Sequence, residues 1–366
     1  ASNRTMAGTE GLSINLKTEI GQEILSRLIP KSDVLMHNMR PGAPSRVGID
    51  IDRVRQLNPN INYVYIAGYG STGPYSHRPA MHPIGGAVSG GALTQAGKGA
   101  IPDEKVDMSM DEIVETSNRL GRAQDVNPDP NTSMVAATSV VMSLYARLRT
   151  KMPQYVETTM IGANATANAE DFFDFEGKPD RELPDINGYG TNALNRLYEA
   201  KSGWVFLACP MESEWRQLCQ VLEFDYLLSD KRFATVESRR VHDDDLIEQL
   251  ASIFVLKNAP QWESELTNRD IGCVRVEDTN MYNFFANDAH VEENGFTTEV
   301  SHKKFGTFWR YAPVLDFSET PSKAGGGILR GEHTFPILQE LGYTVEEINS
   351  FRENGILDWE SSDQSL

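Results

Sequence analysis

The 366-residue sequence predicts an α/β protein: a large domain on a parallel sheet, a smaller α+β domain inserted in it, and a C-terminal return. Three observations predict this. Short apolar runs alternate with helix-period segments through the first half, the pattern of strands joined by crossover helices. Near Asn187 that pattern gives way to a hairpin signal and a long charged helical stretch. Proline and glycine breaks (Pro313, Pro321, Gly325-Gly326-Gly327) then precede two closing helices. The expected division is 1–186 for the first part of the large domain, 187–298 for the small domain and 299–366 for the return.

Thr18 to Ile29 places Ile20, Ile24, Leu25 and Leu28 on one helical face, and Pro30 ends it. Asp33-Val34-Leu35-Met36 is short and apolar, as a buried parallel strand is. Asp50 to Leu57 reads as a helix stopped by Asn58-Pro59, and Tyr63 to Ala67 as the next strand, running into Gly68-Tyr69-Gly70. Residues 97–128 form a polar excursion with one well-signalled helix, capped by Ser109, boxed by Glu112 and ended by Gly121. A lid or a docking element is the expectation for a loop of this length. Met134 to Leu148 is apolar nearly all round, which predicts a buried helix, and Tyr155 to Met160 reads as a strand after it. Lys201-Ser202-Gly203 turns between two strand-like pieces of Tyr198 to Ala208. Residues 212–269 read as helical, and His333 to Leu341 and Val345 to Asn354 as the closing helices.

The net charge of −18 disfavours nucleic acid as a partner. The charge is uneven: residues 1–60 carry eight Lys/Arg against six Asp/Glu, leaving −20 on the remainder. A mildly basic start on an acidic chain suits a local anion site. Cys209, Cys219 and Cys273 are odd in number and lack CxxC spacing, which argues against disulfides and zinc and for a reduced, cytoplasmic protein. No apolar run approaches the ~20 residues of a membrane helix, and no signal peptide is visible. His290, His302 and His333 lack metal-ligand spacing, so no metal is expected. Trp204, Trp215 and Trp262 are expected as core or interface anchors.

Three segments carry candidate chemistry. Asn38-Met39-Arg40-Pro41-Gly42, followed by Arg46-Val47-Gly48, lies just beyond a predicted strand. Ligands bind at such strand ends, and two arginines offer bidentate donors to phosphate. A surface loop with solvated arginines is the plain alternative. Gly68-Tyr69-Gly70-Ser71-Thr72-Gly73-Pro74-Tyr75 follows the next strand, and its glycines let backbone approach a ligand, or simply turn. Asp129-Pro130 opens the apolar helix, where Asp suits the N-cap and Pro the first helical position. A carboxylate there is also stabilised as an anion, and the nearby amides would hold an oxyanion.

Taken in order, these segments closely resemble the family III CoA-transferases of the CaiB/BaiF type. The matching residues are Asn15-Leu16-Lys17-Thr18 through Gly21, Asp33-Val34, Asn38-x-Arg40-Pro41-Gly42, Asn58-Pro59, Gly68-Tyr69-Gly70-x-x-Gly73-Pro74-Tyr75, Ser89-Gly90, Asp129 and Gln154-Tyr155-Val156-Glu157. Leu197-Tyr198, Gly203-Trp204, Gly331-Glu332-His333-Thr334 to Leu338 and Leu341-Gly342-Tyr343 continue the likeness, so it spans almost the whole chain. The resemblance implies transfer of CoA from an acyl-CoA thioester to a carboxylic acid through an aspartyl anhydride and an aspartyl-CoA thioester. The aspartate matching the family's nucleophile is Asp129. The family's CoA contacts fall on Asn38 and Arg46, with Arg40 and the backbone of Gly68, Tyr69 and Gly70 beside them. Acyl-CoA is then a substrate, and no cofactor is bound permanently. The implied fold is two Rossmann-like subunits interlocked as rings in a homodimer. The resemblance also implies one more strand–helix unit ahead of Asn15 than this chain carries, to be supplied by a partner chain or lost with a truncated start.

Two rival readings stand beside it. An α-methylacyl-CoA racemase shares the implied fold and aspartate, but needs acid/base groups on both sides of Cα. The racemase pattern has His-Asp where this chain has Met81-His82, one position off. The other rival is an inactive CoA-binding subunit of a complex. Glu157, where relatives often have Asp, reads as a carboxylate supporting the site or as a solvated or bonded strand residue.

Overall fold

The computed structural model describes residues 8–98, 107–121, 128–169 and 173–360. In chain order the first elements are α1 (Glu19–Leu28), β1 (Val34–His37), α2 (Ala43–Arg46), α3 (Ile51–Leu57), β2 (Asn62–Ala67), α4 (His82–Val88), α5 (Gly91–Ala96) and α6 (Met110–Gly121). They are followed by α7 (Pro128–Thr150), β3 (Tyr155–Thr159), α8 (Met160–Ala167), β4 (Gly190–Asn192), β5 (Asn195–Glu199) and β6 (Trp204–Ala208). Next come α9 (Glu212–Val221), α10 (Tyr226–Ser229), α11 (Val236–Val241), α12 (Asp243–Phe254), α13 (Ala259–Thr267) and β7 (Gly272–Arg275). The last are α14 (Met281–Asn287), α15 (Ala289–Glu293), β8 (Thr297–His302), β9 (Gly306–Tyr311), α16 (Thr334–Glu340) and α17 (Val345–Glu353).

The expected helix starts are set by local chemistry. The Thr18 hydroxyl accepts from the Gly21 N–H at 3.0 Å, and Asp50 Oδ1 accepts from the Arg53 N–H at 3.1 Å. Ser109 and Glu112 cap α6 reciprocally, at 2.7 and 3.3 Å. Each side chain satisfies an amide that has no partner within the helix.

The chain forms two compact units, the first from residues 1–77, 136–158 and 279–366, the second from 78–135 and 159–278. In the first, β1, β2 and β3 form one sheet in that order, with β2 central. β1 and β2 are parallel, in register from Val34↔Asn62 to His37↔Tyr65. Strand β2 is buried at every position but Ile66, as a central strand must be. Leu25, Ile29, Val54 and Ile61 form a core with Tyr63 and Tyr65. A second core joins Ile24 to Leu338, Ile348 and Leu357. β8 and β9 form a separate antiparallel hairpin.

In the second unit, β4 to β7 make an antiparallel sheet in sequence order. The expected hairpin is β5–β6, closed where the Ala200 N–H donates to Gly203 O at 2.9 Å. Its core holds Tyr198, Trp215, Leu246, Phe254 and Trp262. Trp215 and Trp262 are thus core residues, while Trp204 is only partly buried against Tyr189. Cys209, Cys219 and Cys273 are free thiols in this core, and burial pushes each up to about 12.

Helix α7 corrects one expectation. Its small residues Thr132, Ala136 and Ser143 are buried, whereas Met134, Val141, Met142, Tyr145 and Leu148 are exposed by 60% or more. The small residues let backbone pack closely, and the large ones project outward. A helix apolar all round is therefore not covered all round within one chain.

Candidate active site

The turn after β1 carries Asn38, Arg40 and Arg46, all exposed. Gly42 takes φ +78°, a left-handed conformation that costs an L side chain, and so starts α2 at Ala43, three residues after Arg40. The Ala43 N–H donates to Arg40 O at 3.0 Å, and the Val47 and Ile49 amides both donate to Pro44 O. Gln22 on α1 donates to Val47 O at 3.0 Å, tying the far end of the loop to the helix. Among the described residues neither Arg40 nor Arg46 has an ion-pair partner, so both guanidinium forks are available to an anion.

Beside it, at the same sheet edge, β2 runs into Gly68-Tyr69-Gly70. Gly70 takes φ +104°, and a Cβ there would meet Glu157 Oε1 at 3.9 Å. Glu157, on β3, accepts from the Ser71 N–H at 2.6 Å and from the Tyr155 hydroxyl at 3.4 Å. It is therefore a bonded residue that pins the glycine turn from the next strand. Tyr69 packs edge-on to Tyr75, with centroids 6.1 Å apart. Replacing Glu157 by Ala is expected to cost about 1–2 kcal/mol in urea denaturation, and Glu157→Gln less than half of that, since the amide oxygen still accepts. Equal losses in both variants would show that the carboxylate charge, not the acceptor, holds the turn.

Asp129 belongs to the second unit. It stands in the first turn of α7 and is exposed. The helix begins at Pro128, so Asp129 is not the N-cap that the sequence suggested. Prolines fit anywhere in a first turn, where amides lack intrahelical partners, so Pro130 did not fix the boundary. Thr132 Oγ1 donates to Pro128 O at 2.5 Å and Ser133 Oγ to Asp129 O at 2.8 Å. Behind this turn runs a chain of polar groups. Asn131 Nδ2 donates to Asn164 Oδ1 at 3.4 Å, Asn164 Nδ2 to Ser89 Oγ at 3.2 Å, and Ser89 Oγ to Gly85 O at 3.1 Å. Asn164 is buried, and a Cβ on Gly85 would lie 3.5 Å from Pro128 Cβ, so α4 and α8 buttress the helix start. His82 opens α4, and its side chain lies outside the described residues.

Among the described residues no group of three His, Cys, Asp or Glu is placed to hold a metal ion. The sequence profile of CoA-transferase family III matches residues 3–327. The chain belongs to CoA-transferase family III. Formyl-CoA:oxalate CoA-transferase of Streptomyces avermitilis is 27% identical over 370 residues, covering 94% of this chain and 83% of its own length. (R)-2-hydroxy-4-methylpentanoate CoA-transferase of Clostridioides difficile is 22% identical over 359 residues, covering 95% and 82%. The crystal structure of a CAIB/BAIF family protein from Brucella suis superposes with a TM-score of 0.69 at 20% identity, over 92% of this chain and 82% of that one. This family III chain is thus an enzyme of CoA transfer, as expected, on the fold of its relatives.

Sequence reasoning missed Ser89, Asn131 and Asn164 as a connected group. Asn131 was legible only as part of a helix start, and Asn164 lies 33 residues away from it. No local pattern announces such a pairing.

Proposed function

We propose that this chain moves CoA between an acyl-CoA thioester and a carboxylic acid, with Asp129 as nucleophile. One Asp129 carboxylate oxygen attacks the thioester carbonyl and CoA leaves as thiolate, giving a mixed anhydride. The thiolate attacks the aspartyl carbonyl and releases the first acid as its carboxylate. The acceptor carboxylate then attacks the aspartyl-CoA thioester, expelling thiolate again. Attack of that thiolate on the acceptor's acyl carbon yields the new acyl-CoA and regenerates Asp129. One thioester is exchanged for another and no proton is gained or lost. Asn38, Arg40 and Arg46 hold the phosphates of CoA, and the Gly68-Tyr69-Gly70 backbone lies along it.

The observation that carries this reading is an aspartate in the first turn of a 23-residue helix, in a family III chain. The positive end of the helix favours the carboxylate. A carboxylate is a weak nucleophile, so positioning supplies much of the rate. The test is to incubate the protein with a panel of acyl-CoA thioesters, quench with hydroxylamine and map peptides by mass spectrometry. A hydroxamate on the peptide containing Asp129 is expected. Unmodified peptide with every donor, despite measurable CoA binding, would overturn the assignment.

The same reading makes the protein a cytoplasmic homodimer of interlocked subunits, divided near residues 187 and 298. Among the described residues, no helix is long and apolar enough to cross a membrane. The exposed Met134, Val141, Met142, Tyr145 and Leu148 on α7 supply apolar surface of the kind that a second subunit covers.

A further inference from the structure

The loop assigned above to CoA is tied at both ends through one residue, His37. The Met39 N–H donates to His37 Nδ1 at 3.2 Å. His37 Nε2 lies 2.8 Å from the Tyr63 hydroxyl, and that hydroxyl donates to Ile49 O at 2.7 Å. These contacts fix the protons. Nδ1 accepts, so it carries no hydrogen. The single Tyr63 proton is committed to Ile49, so Nε2 must donate to the Tyr63 oxygen. The imidazole is thereby held neutral, as the Nε2–H tautomer. Met39 and Ile49 bracket Arg40 and Arg46, and Asn38 lies between His37 and Met39.

We propose that His37 is a positioning residue for CoA binding: through Met39 and Tyr63–Ile49 it clamps both ends of the loop that presents Asn38, Arg40 and Arg46. This deepens the CoA reading and rests on it. The clamp is rigidly backed. The ring stacks on Tyr65 at 4.8 Å and meets Tyr63 edge-on at 5.3 Å. Tyr63 and Tyr65 are 3% and 6% exposed, and Tyr63 in turn stacks on Tyr155 at 5.8 Å.

A second proton on His37 would point at the Met39 N–H and break that end of the clamp. Tyr63 and Tyr65 face the ring from β2, with Tyr155 and Glu157 beyond them on β3 and Asp50 at the head of α3. Burial lowers the His37 pKa below its ordinary 6.5. A lowered value means that the fold favours the neutral ring. The clamp is then complete above the ordinary histidine range and is lost as pH falls through the lowered value.

Two measurements on the full chain test this: hydrogen exchange of peptides covering 38–48, and calorimetric titration with coenzyme A. His37→Phe keeps the stacking ring but removes both nitrogens, Tyr63→Phe removes the link to Ile49, and His37→Asn keeps an acceptor for Met39. His37→Phe is expected to speed exchange of the loop and raise Kd for CoA about 10-fold, the scale of one lost buried hydrogen bond. Tyr63→Phe should have a smaller effect in the same direction, and His37→Asn should recover most of the affinity. Wild-type Kd should rise as pH falls below 6.5, with His37→Asn flat over the same range. Unchanged loop exchange in both His37→Phe and Tyr63→Phe would overturn the clamp. Arg46→Ala separates the two ideas. If Arg46→Ala weakens CoA binding while the clamp variants behave as wild type, the loop binds CoA and the role of His37 is wrong. If the clamp variants loosen the loop but neither they nor Arg46→Ala alter Kd, the loop does not bind CoA and the proposal falls with that reading.

Discussion

Replacing Asp129 by Ala is expected to lower CoA-transfer turnover at least ~10³-fold while leaving the protein folded. The proposed sequence forms and breaks bonds to this carboxylate in every step, and no other group in the first turn can take its place. Asn131 and Ser133 are the other polar side chains there, along with Thr132, and each is engaged with backbone or Asn164. Removing a carboxylate from a helix N-terminus costs only about 0.3–1 kcal/mol of stability. The urea midpoint should therefore fall slightly at most, and CoA should still bind. Asp129→Asn should be nearly as inactive, because an amide is a poor nucleophile toward a thioester. A variant retaining a tenth of wild-type turnover would remove Asp129 from the chemistry.

The largest effect on stability is expected at Phe254. It is fully buried, stacked on Tyr198 at 4.8 Å and edge-on to Trp262 at 5.3 Å. Its carbonyl also accepts from Trp262 Nε1 at 2.7 Å. Phe254→Ala removes a ring with two aromatic partners and leaves a cavity, for about 3–5 kcal/mol. Phe254→Leu, which keeps most of the volume, should cost roughly 1–2 kcal/mol. Urea denaturation read by tryptophan fluorescence would show this, since Trp215 and Trp262 lie in the same core. A loss below about 1 kcal/mol for the alanine variant would mean that the core collapses around the gap.

Much of the fold was legible because its signals act over three or four residues. Thr18, Asp50 and Ser109 each reach an amide within one helical turn, and Lys201-Ser202-Gly203 closes its own hairpin. The parallel pairing of β1 and β2 followed from two short apolar runs joined by helical connections. Helix α7 was legible as a helix but not in its exposure. Composition reports that residues are apolar, not what stands opposite them: Thr132, Ala136 and Ser143 are buried, while Met134, Val141, Met142, Tyr145 and Leu148 are exposed. Its start was misread because Asn127-Pro128-Asp129-Pro130 offers two prolines that both fit a first turn. The site divides along the same line. Asn38, Arg40, Arg46 and Gly68 to Gly70 were placed by their position after strands, as the sheet confirms for their location. Glu157 bonds Ser71 in the turn after β2, and His37 bonds Tyr63 on β2, so both pairings depend on how the strands align, which no single segment contains.

The three cysteines have a practical consequence. All lie in the second unit, at the end of β6, in α9 and on β7, and the sequence has none elsewhere. With thiols pushed up to about 12, only on the order of one molecule in 10⁴ carries a given thiolate at pH 8. Alkylating reagents therefore meet an almost inert native protein, and modification counts openings of this unit alone. Cys209 directly follows β6, and Cys273 lies on β7, which pairs with β6, while Cys219 sits on a helix. Joint labelling of all three would mark the unit opening as a whole, and labelling of Cys219 ahead of the others would mark the helix peeling from the sheet. The chain carries its own clock for the breathing of one half, with no probe to be engineered.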